Sequence, residues 1–163
     1  MVYGFKEWNI VCHALECGRQ TVLLRSGGIH DPSQWQADFP AEFYLMPNEY
    51  HEQMDLVTWQ LEKPLREEPR WTIRSQARVK SVTHCLCLED LDTIRDQHIL
   101  KPEVLQERFK RKTEGLWIIE VEVSVLPTPW KLADLPEYGG CRSIVPLPDH
   151  RSAGSKTFLA DKS

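Results

Sequence analysis

Apolar residues recur along this chain at two spacings. Phe5, Trp8, Val11, Cys12 and Leu15 fall three and four apart, the spacing of one helical face. The pattern predicts a helix over about 5 to 17, and Gly18 is placed to stop it. Gln20 to Arg25 is apolar and β-branched enough for a strand, after which Gly27-Gly28 permits a turn with positive φ. His30 to Ala41 carries Asp31-Pro32-Ser33 and reads as a loop. Phe43-Tyr44-Leu45-Met46 reads as a short strand ended by Pro47. Residues 48 to 70 are polar, carry Pro64 and Pro69, and predict a long irregular connection of the kind that is mobile or functional.

Two long segments alternate. From Trp71 to Val82, the residues Trp71, Ile73, Ser75, Ala77 and Val79 face one way, and Thr72, Arg74, Gln76, Arg78 and Lys80 the other. From Leu116 to Leu126, Trp117, Ile119, Val121, Val123 and Val125 form an apolar face opposite Glu120, Glu122 and Ser124. Between them, Leu88 to Arg95 predicts a short helix. Pro102 opens another that runs to about Lys112 with Val104, Leu105 and Phe109 inward. Pro127, Pro129 and Pro136 make the next segment an extended crossover rather than an element. Ile144-Val145 adds a short edge strand. Residues 149 to 163 are small, polar and charged and predict a disordered tail, which leaves one globular domain over 1 to 148. The fold class that results is α+β: a mixed, largely antiparallel sheet or small open barrel with an N-terminal helix and a helical insertion between two long strands.

Composition narrows the function classes. A chain of 163 residues with 41% hydrophobic content is long enough for one domain with a real core. The formal net charge of -4 draws the whole molecule to no polyanion, so any anion site must be local. The longest apolar runs, such as Trp117-Ile118-Ile119, fall far short of the ~20 residues of a membrane helix. No basic segment followed by an apolar stretch opens the chain, so no secretory signal is expected. Five cysteines, an odd number, point to reduced thiols and a cytoplasmic location. Cys85-x-Cys87 has the wrong spacing for a metal knuckle and reads as two thiols at a strand end, so neither metal nor cofactor is expected.

Candidate chemistry is sparse. The chain contains no P-loop, dinucleotide fingerprint or nucleophile elbow. Arg74, Arg78 and Lys80 form a basic stripe that can meet phosphates or, alternatively, pair with Glu120 and Glu122 across strands. Arg108, Lys110, Arg111 and Lys112 complement a helix carboxyl end or form a nucleic-acid footprint. Arg25 before Gly27-Gly28 suggests an anion nest with a guanidinium beside it. Tyr138-Gly139-Gly140 offers a second such turn. His51, between Glu49 and Glu52 in its segment, is a candidate general base or ligand. The metal-dependent nuclease core needs an Asp and a Glu-x-Lys on adjacent strands, and Glu120-Val121-Glu122 lacks the lysine.

Several of these short signatures together resemble a prokaryotic family, the domain-of-unknown-function 1802 family. Lys6-Glu7-Trp8, Val22-Leu23-Leu24-Arg25-Ser26-Gly27-Gly28-Ile29 and Pro136-Glu137-Tyr138-Gly139-Gly140-Cys141 carry the resemblance, which spans about residues 5 to 147. Phe43-Tyr44-Leu45-Met46-Pro47 fits as well. Asn48 to Gln53 departs from the family's histidine-containing turn, which leaves His51 without a role by resemblance. The family implies no activity, and only its association with restriction-type nucleases suggests a nuclease-type protein partner. The order strand, helices, strand with a basic face also resembles PUA-like barrels of the ASCH kind, in fold alone.

The function expected from these residues is a non-catalytic cytosolic module that binds an anionic ligand, nucleic acid or nucleotide. Its ligand-binding residues would be Arg25, Gly27, Gly28, Arg78, Tyr138, Gly139 and Gly140. Two alternatives stand beside it: a phosphoester hydrolase linked to nucleic-acid defence that uses His51 and acidic residues, and an adaptor with no small-molecule site. A pocket joining Arg25 to Tyr138 favours the first, clustered carboxylates the second, and a large exposed apolar patch the third.

Overall fold

The computed structural model describes residues 1–26, 39–49, 51–111 and 115–149. Gly27 and Gly28 lie outside the described residues, as do most of the expected 30–41 loop and residues 150–163 of the expected tail. The chain opens with strand β1 (Val2–Trp8), followed by helix α1 (Asn9–Glu16) and strand β2 (Val22–Arg25). The helix expected from residue 5 thus begins four residues later. Residues 4 to 8 pair with β3 (Glu42–Asn48) and residues 2 to 5 with β6 (Ile144–Leu147), and those ladders outweigh the helical spacing of Phe5 and Trp8. Gly18 ends α1 as expected. It sits at φ 80, its N–H donates to Leu15 at 3.3 Å, and the Arg19 N–H reaches back to Ala14 at 2.9 Å. Those are the two bonds of a Schellman cap.

The remaining strands are β4 (Thr72–Cys85) and β5 (Leu116–Lys131). Among the described residues six strands form one mixed sheet in the order β2-β5-β4-β3-β1-β6, with β1 and β3 parallel and every other neighbour antiparallel. The fold is α+β, and the sheet stays open, with β2 and β6 as its edges. It is nevertheless curled. The Arg25 guanidinium on β2 donates to the Lys6 carbonyl on β1, although β5, β4 and β3 separate those strands in the ladder. Helix α1 packs on β1, β3 and β5 and is buried along nearly its whole length, including Ile10, Val11, Ala14 and Leu15. It fills the concave face of the curl.

Two register irregularities between β4 and β5 correct the expected single apolar face. The register shifts between Ile73 and Ser75 and again between Val79 and Ser81. At the first, Arg74 alone stands against Leu126 to Pro129 of β5, and at the second β4 carries one extra residue; the phase of alternation along β4 reverses at each. Ile73 therefore joins Trp71, Tyr44, Met46, Tyr138, Val145 and Leu147 in a second core on the outer face. Ser75 and Ala77 turn inward, where Ala77 meets the main core around Phe5, Phe43 and Leu45.

Strand β5 runs on through Pro127 and Pro129, against the expected crossover. Both prolines fall inside a register shift, because Val125 pairs with Ser75 and the next paired residue is Trp130, opposite Ile73. No ladder bond is required of them there. Ile119 and Val121 are buried as expected, Trp117 is half-buried and stacks on His84 at 4.3 Å, and Val125 is exposed. The helical insertion between β4 and β5 consists of a 3-10 segment (Leu88–Gln97) and helix α2 (Pro102–Lys110). Val104 and Leu105 point inward as expected. Arg108 is buried with them, while Phe109 is half-buried. Between β3 and β4 a short 3-10 turn (His51–Leu56) precedes the irregular run expected there. Among the described residues no helix is long and apolar enough to cross a membrane.

Candidate functional site

The curl brings three of the sequence signatures to one place. Glu7 is buried at 1% side-chain exposure near the end of β1. Its Oε1 accepts the Trp8 N–H at 2.8 Å and lies 3.8 Å from Arg25 Nη2 and 3.9 Å from Arg108 Nη2. Arg25 stands over the Phe5 ring at 5.2 Å, and Arg108 over the Trp8 ring at 4.9 Å. Arg108 also donates to the Leu24 carbonyl at 2.7 Å, which ties α2 to the outer side of β2. Burial, with Arg25 and Arg111 nearby, outweighs the pull of Glu7 and pushes the Arg108 guanidinium down to about 10. Arg25 is the member that reaches solvent, with 20% of its side chain exposed, and its buried Nε has no hydrogen-bond partner.

Lys6 links this cluster to the late signature. Its ammonium donates to the carbonyls of Gly139 at 3.3 Å and Gly140 at 3.0 Å, while its backbone N–H donates to Ser143. Gly140 adopts φ 81, a conformation open to glycine at little cost. This turn presents carbonyls to a cation, and the Gly139 N–H is taken by the Pro136 carbonyl at 3.1 Å. Tyr138 is 2% exposed and packs edge-on against Trp71 in the outer core; burial raises its phenol above the ordinary value. Arg25 and Gly139-Gly140 thus meet on either side of Lys6. Arg78 stands elsewhere, on the exposed face of β4, where it lies 3.4 Å from Glu42 and opposite Glu122.

The other basic residues are largely paired, as the cross-strand alternative anticipates. Lys80 lies 3.5 Å from Glu120 and Arg111 2.6 Å from Glu107. Arg74 departs from the expected stripe. Opposite the unpaired stretch of β5 it turns towards α1 and the segment before β4, where it donates to Glu16, Glu68 and Asn9 at 3.2, 2.8 and 3.0 Å. Lys112 and the side chain of His51 lie outside the described residues. Among the described residues no three His, Cys, Asp or Glu side chains are grouped to hold a metal ion. All five cysteines are free, and burial pushes the Cys12 thiol well up.

A second feature was not legible in the sequence. A cleft of about 420 Å³ opens where β1 and β3 end, α1 begins and β4 begins. Asn9, Asn48, Glu49, Thr72 and the two arginines Arg70 and Arg74 line it. These residues come from three stretches of chain that no local spacing relates. Trp71, between two of them, holds φ 61, rare for a bulky residue and a mark of local strain.

Comparison with solved structures finds the crystal structure of ASCH from Zymomonas mobilis, with a TM-score of 0.59 at 13% identity over 93% of this chain and 90% of that one. A tyrosine-to-phenylalanine mutant of the same protein gives a TM-score of 0.58 at 15% identity over 93% of each chain. The likeness is one of fold, and it extends over nearly the whole chain. Comparison with curated proteins gives no match. The family model described as Domain of unknown function (DUF1802) matches residues 4–163, so the chain belongs to that family.

Proposed function

We propose that this protein is a non-catalytic module that binds an anionic ligand of the nucleic-acid or nucleotide class at the end of β2. Arg25 meets the ligand, and Gly27 and Gly28, which follow Ser26 in the sequence, are proposed as its further binding residues. The observation that carries the reading is the charge imbalance around Glu7. Two guanidiniums, Arg25 and Arg108, face one buried carboxylate. Arg108 cannot be screened by water, so an anion at Arg25 offsets a repulsion the protein otherwise bears. Lys6 and the Gly139-Gly140 carbonyls fix the β1 backbone to which Arg25 is tied, and Tyr138 anchors that turn in the outer core. Arg78 contributes, for a polymeric ligand, a peripheral phosphate contact. No observed geometry favours a nuclease-type protein partner.

The test is fluorescence polarisation with labelled single-stranded oligonucleotides and a labelled nucleotide at two salt concentrations. Arg25→Ala is expected to weaken binding roughly ten- to a hundredfold, the worth of one charge-assisted hydrogen bond. The slope of log affinity against log salt should shrink by about 0.7–0.9. Arg25→Lys should keep most of that slope. Melting curves of both variants confirm that the assay reads folded protein. No measurable binding by the parent chain, or equal binding by Arg25→Ala, sinks the reading.

A further inference from the structure

We propose that the cleft at the ends of β1 and β3 is a second binding site, and that it takes an uncharged planar heterocycle with both N–H donors and carbonyl acceptors, the chemistry of a nucleobase. Its volume of about 420 Å³ lies within the range of small-ligand clefts, roughly 300–1,000 Å³. The charged groups of the lining balance: Arg70 and Arg74 stand against Glu49 and Glu68. A cleft without surplus charge has no means to select a free ion, so selection falls to hydrogen-bond pattern and shape. The pattern is mixed, because Arg70 donates, Glu49 accepts, and the Asn9 amide brings its N–H group beside an oxygen already taken by Arg74. Pro47 and Pro69 add apolar wall against which a flat ring can lie.

The cleft is also held in place before any ligand arrives. Arg74, 11% exposed, is fixed by three partners on α1 and on the segment before β4. The Gln53 side chain donates to the Asn48 carbonyl at 3.0 Å, and the Thr72 hydroxyl donates to the Pro69 carbonyl at 2.6 Å. Trp71 keeps its unusual backbone because its indole N–H donates to Asp134 at 3.0 Å while Arg70 covers its ring at 4.6 Å. Strain held by so many partners, in the residue that joins two lining residues, is what a preorganised recognition site requires.

This site stands apart from the anion reading. Isothermal titration of the four ribonucleosides, which carry no phosphate, tests it alone, and failure of either proposal leaves the other standing. At millimolar concentration at least one nucleoside should bind saturably. Glu49→Ala or Asn48→Ala should weaken that binding roughly tenfold, with Glu49 exposed enough that its loss spares the fold, as melting curves would verify. The matching 5′-monophosphate should bind within a few-fold of the nucleoside. The proposal is overturned if no nucleoside binds, if both substitutions leave binding unchanged, or if only the phosphate-bearing form binds.

Discussion

His98 is held neutral. Its Nδ1 accepts the Leu100 N–H at 3.1 Å, which a protonated nitrogen cannot do. Burial, and then the charge of Arg108, hold its pKa below the ordinary 6.5. His13 is lowered as well, first by burial and then by Arg74, against the opposing pull of Glu16. For a base with a depressed folded pKa, the unfolded chain takes up the proton first as pH falls. The stability contribution is therefore complete above about pH 6.5 and is lost as the pH drops below it, by at most about 1.4 kcal/mol per pH unit for each histidine. The melting temperature should fall on acidification from pH 7 towards 5. His98→Gln, which keeps an acceptor but cannot titrate, should shallow that fall. An unchanged slope would mean that His98 does not contribute to it.

At the scale of elements, β5 shows how one alternating strand divides between core and surface. Its first half lies between β4 and β2, and Ile119 is fully buried there. β2 begins at Val22, opposite Glu120, and covers only Trp117 to Glu120, so beyond the Val121 N–H, which donates to the Thr21 carbonyl, the strand has β4 alone. Val125 accordingly keeps 61% of its surface exposed although it shares the alternation of Ile119. Ile119→Ala should cost about 2–5 kcal/mol, and Val125→Ala within about 0.5 kcal/mol, in a urea denaturation series. Equal costs would show that the second half of β5 is covered by something beyond the described elements.

At the scale of the molecule, side chains do what the ladder leaves undone. The sheet does not close, yet Arg25 ties β2 to β1, and Lys6 ties β1 to the Gly139-Gly140 turn before β6. We expect residues 1 to 148 to unfold as one cooperative unit for this reason. Lys6→Ala leaves the Gly139 and Gly140 carbonyls without that donor and should cost about 1–3 kcal/mol. Its melting followed by far-ultraviolet circular dichroism and by tryptophan fluorescence should still coincide. Two separated transitions would divide the chain into more than one unit.

Much of the architecture was readable in the order of residues. The alternation of Leu116 to Val123, the proline at the start of α2 and the glycine at the end of α1 depend on neighbours within a few positions, and local sterics set them. The family was readable too, because Lys6-Glu7-Trp8, the Leu24-Arg25 strand end and Tyr138-Gly139-Gly140 occur in a fixed order. What the sequence left open depends on contacts between distant segments. Phe5 to Trp8 has helical spacing but pairs along its whole length with β3, with β6 beside Phe5, and those ladder bonds decide its form. A register shift opposite Leu126 to Pro129 of β5 sends Arg74 inward, away from Arg78, and an alternating pattern contains no sign of where its phase will slip. Glu7 gave no hint of burial, since only the curl of the sheet sets Arg25 and Arg108 against it. The cleft of Asn9, Asn48, Arg70 and Arg74 exists because the ends of β1 and β3 are parallel neighbours beside the start of α1. The chain alone determined most of its elements and its family. Tertiary structure decided which charges face each other and where a cavity opens, because burial and pairing are properties of segments brought together from far apart in the chain.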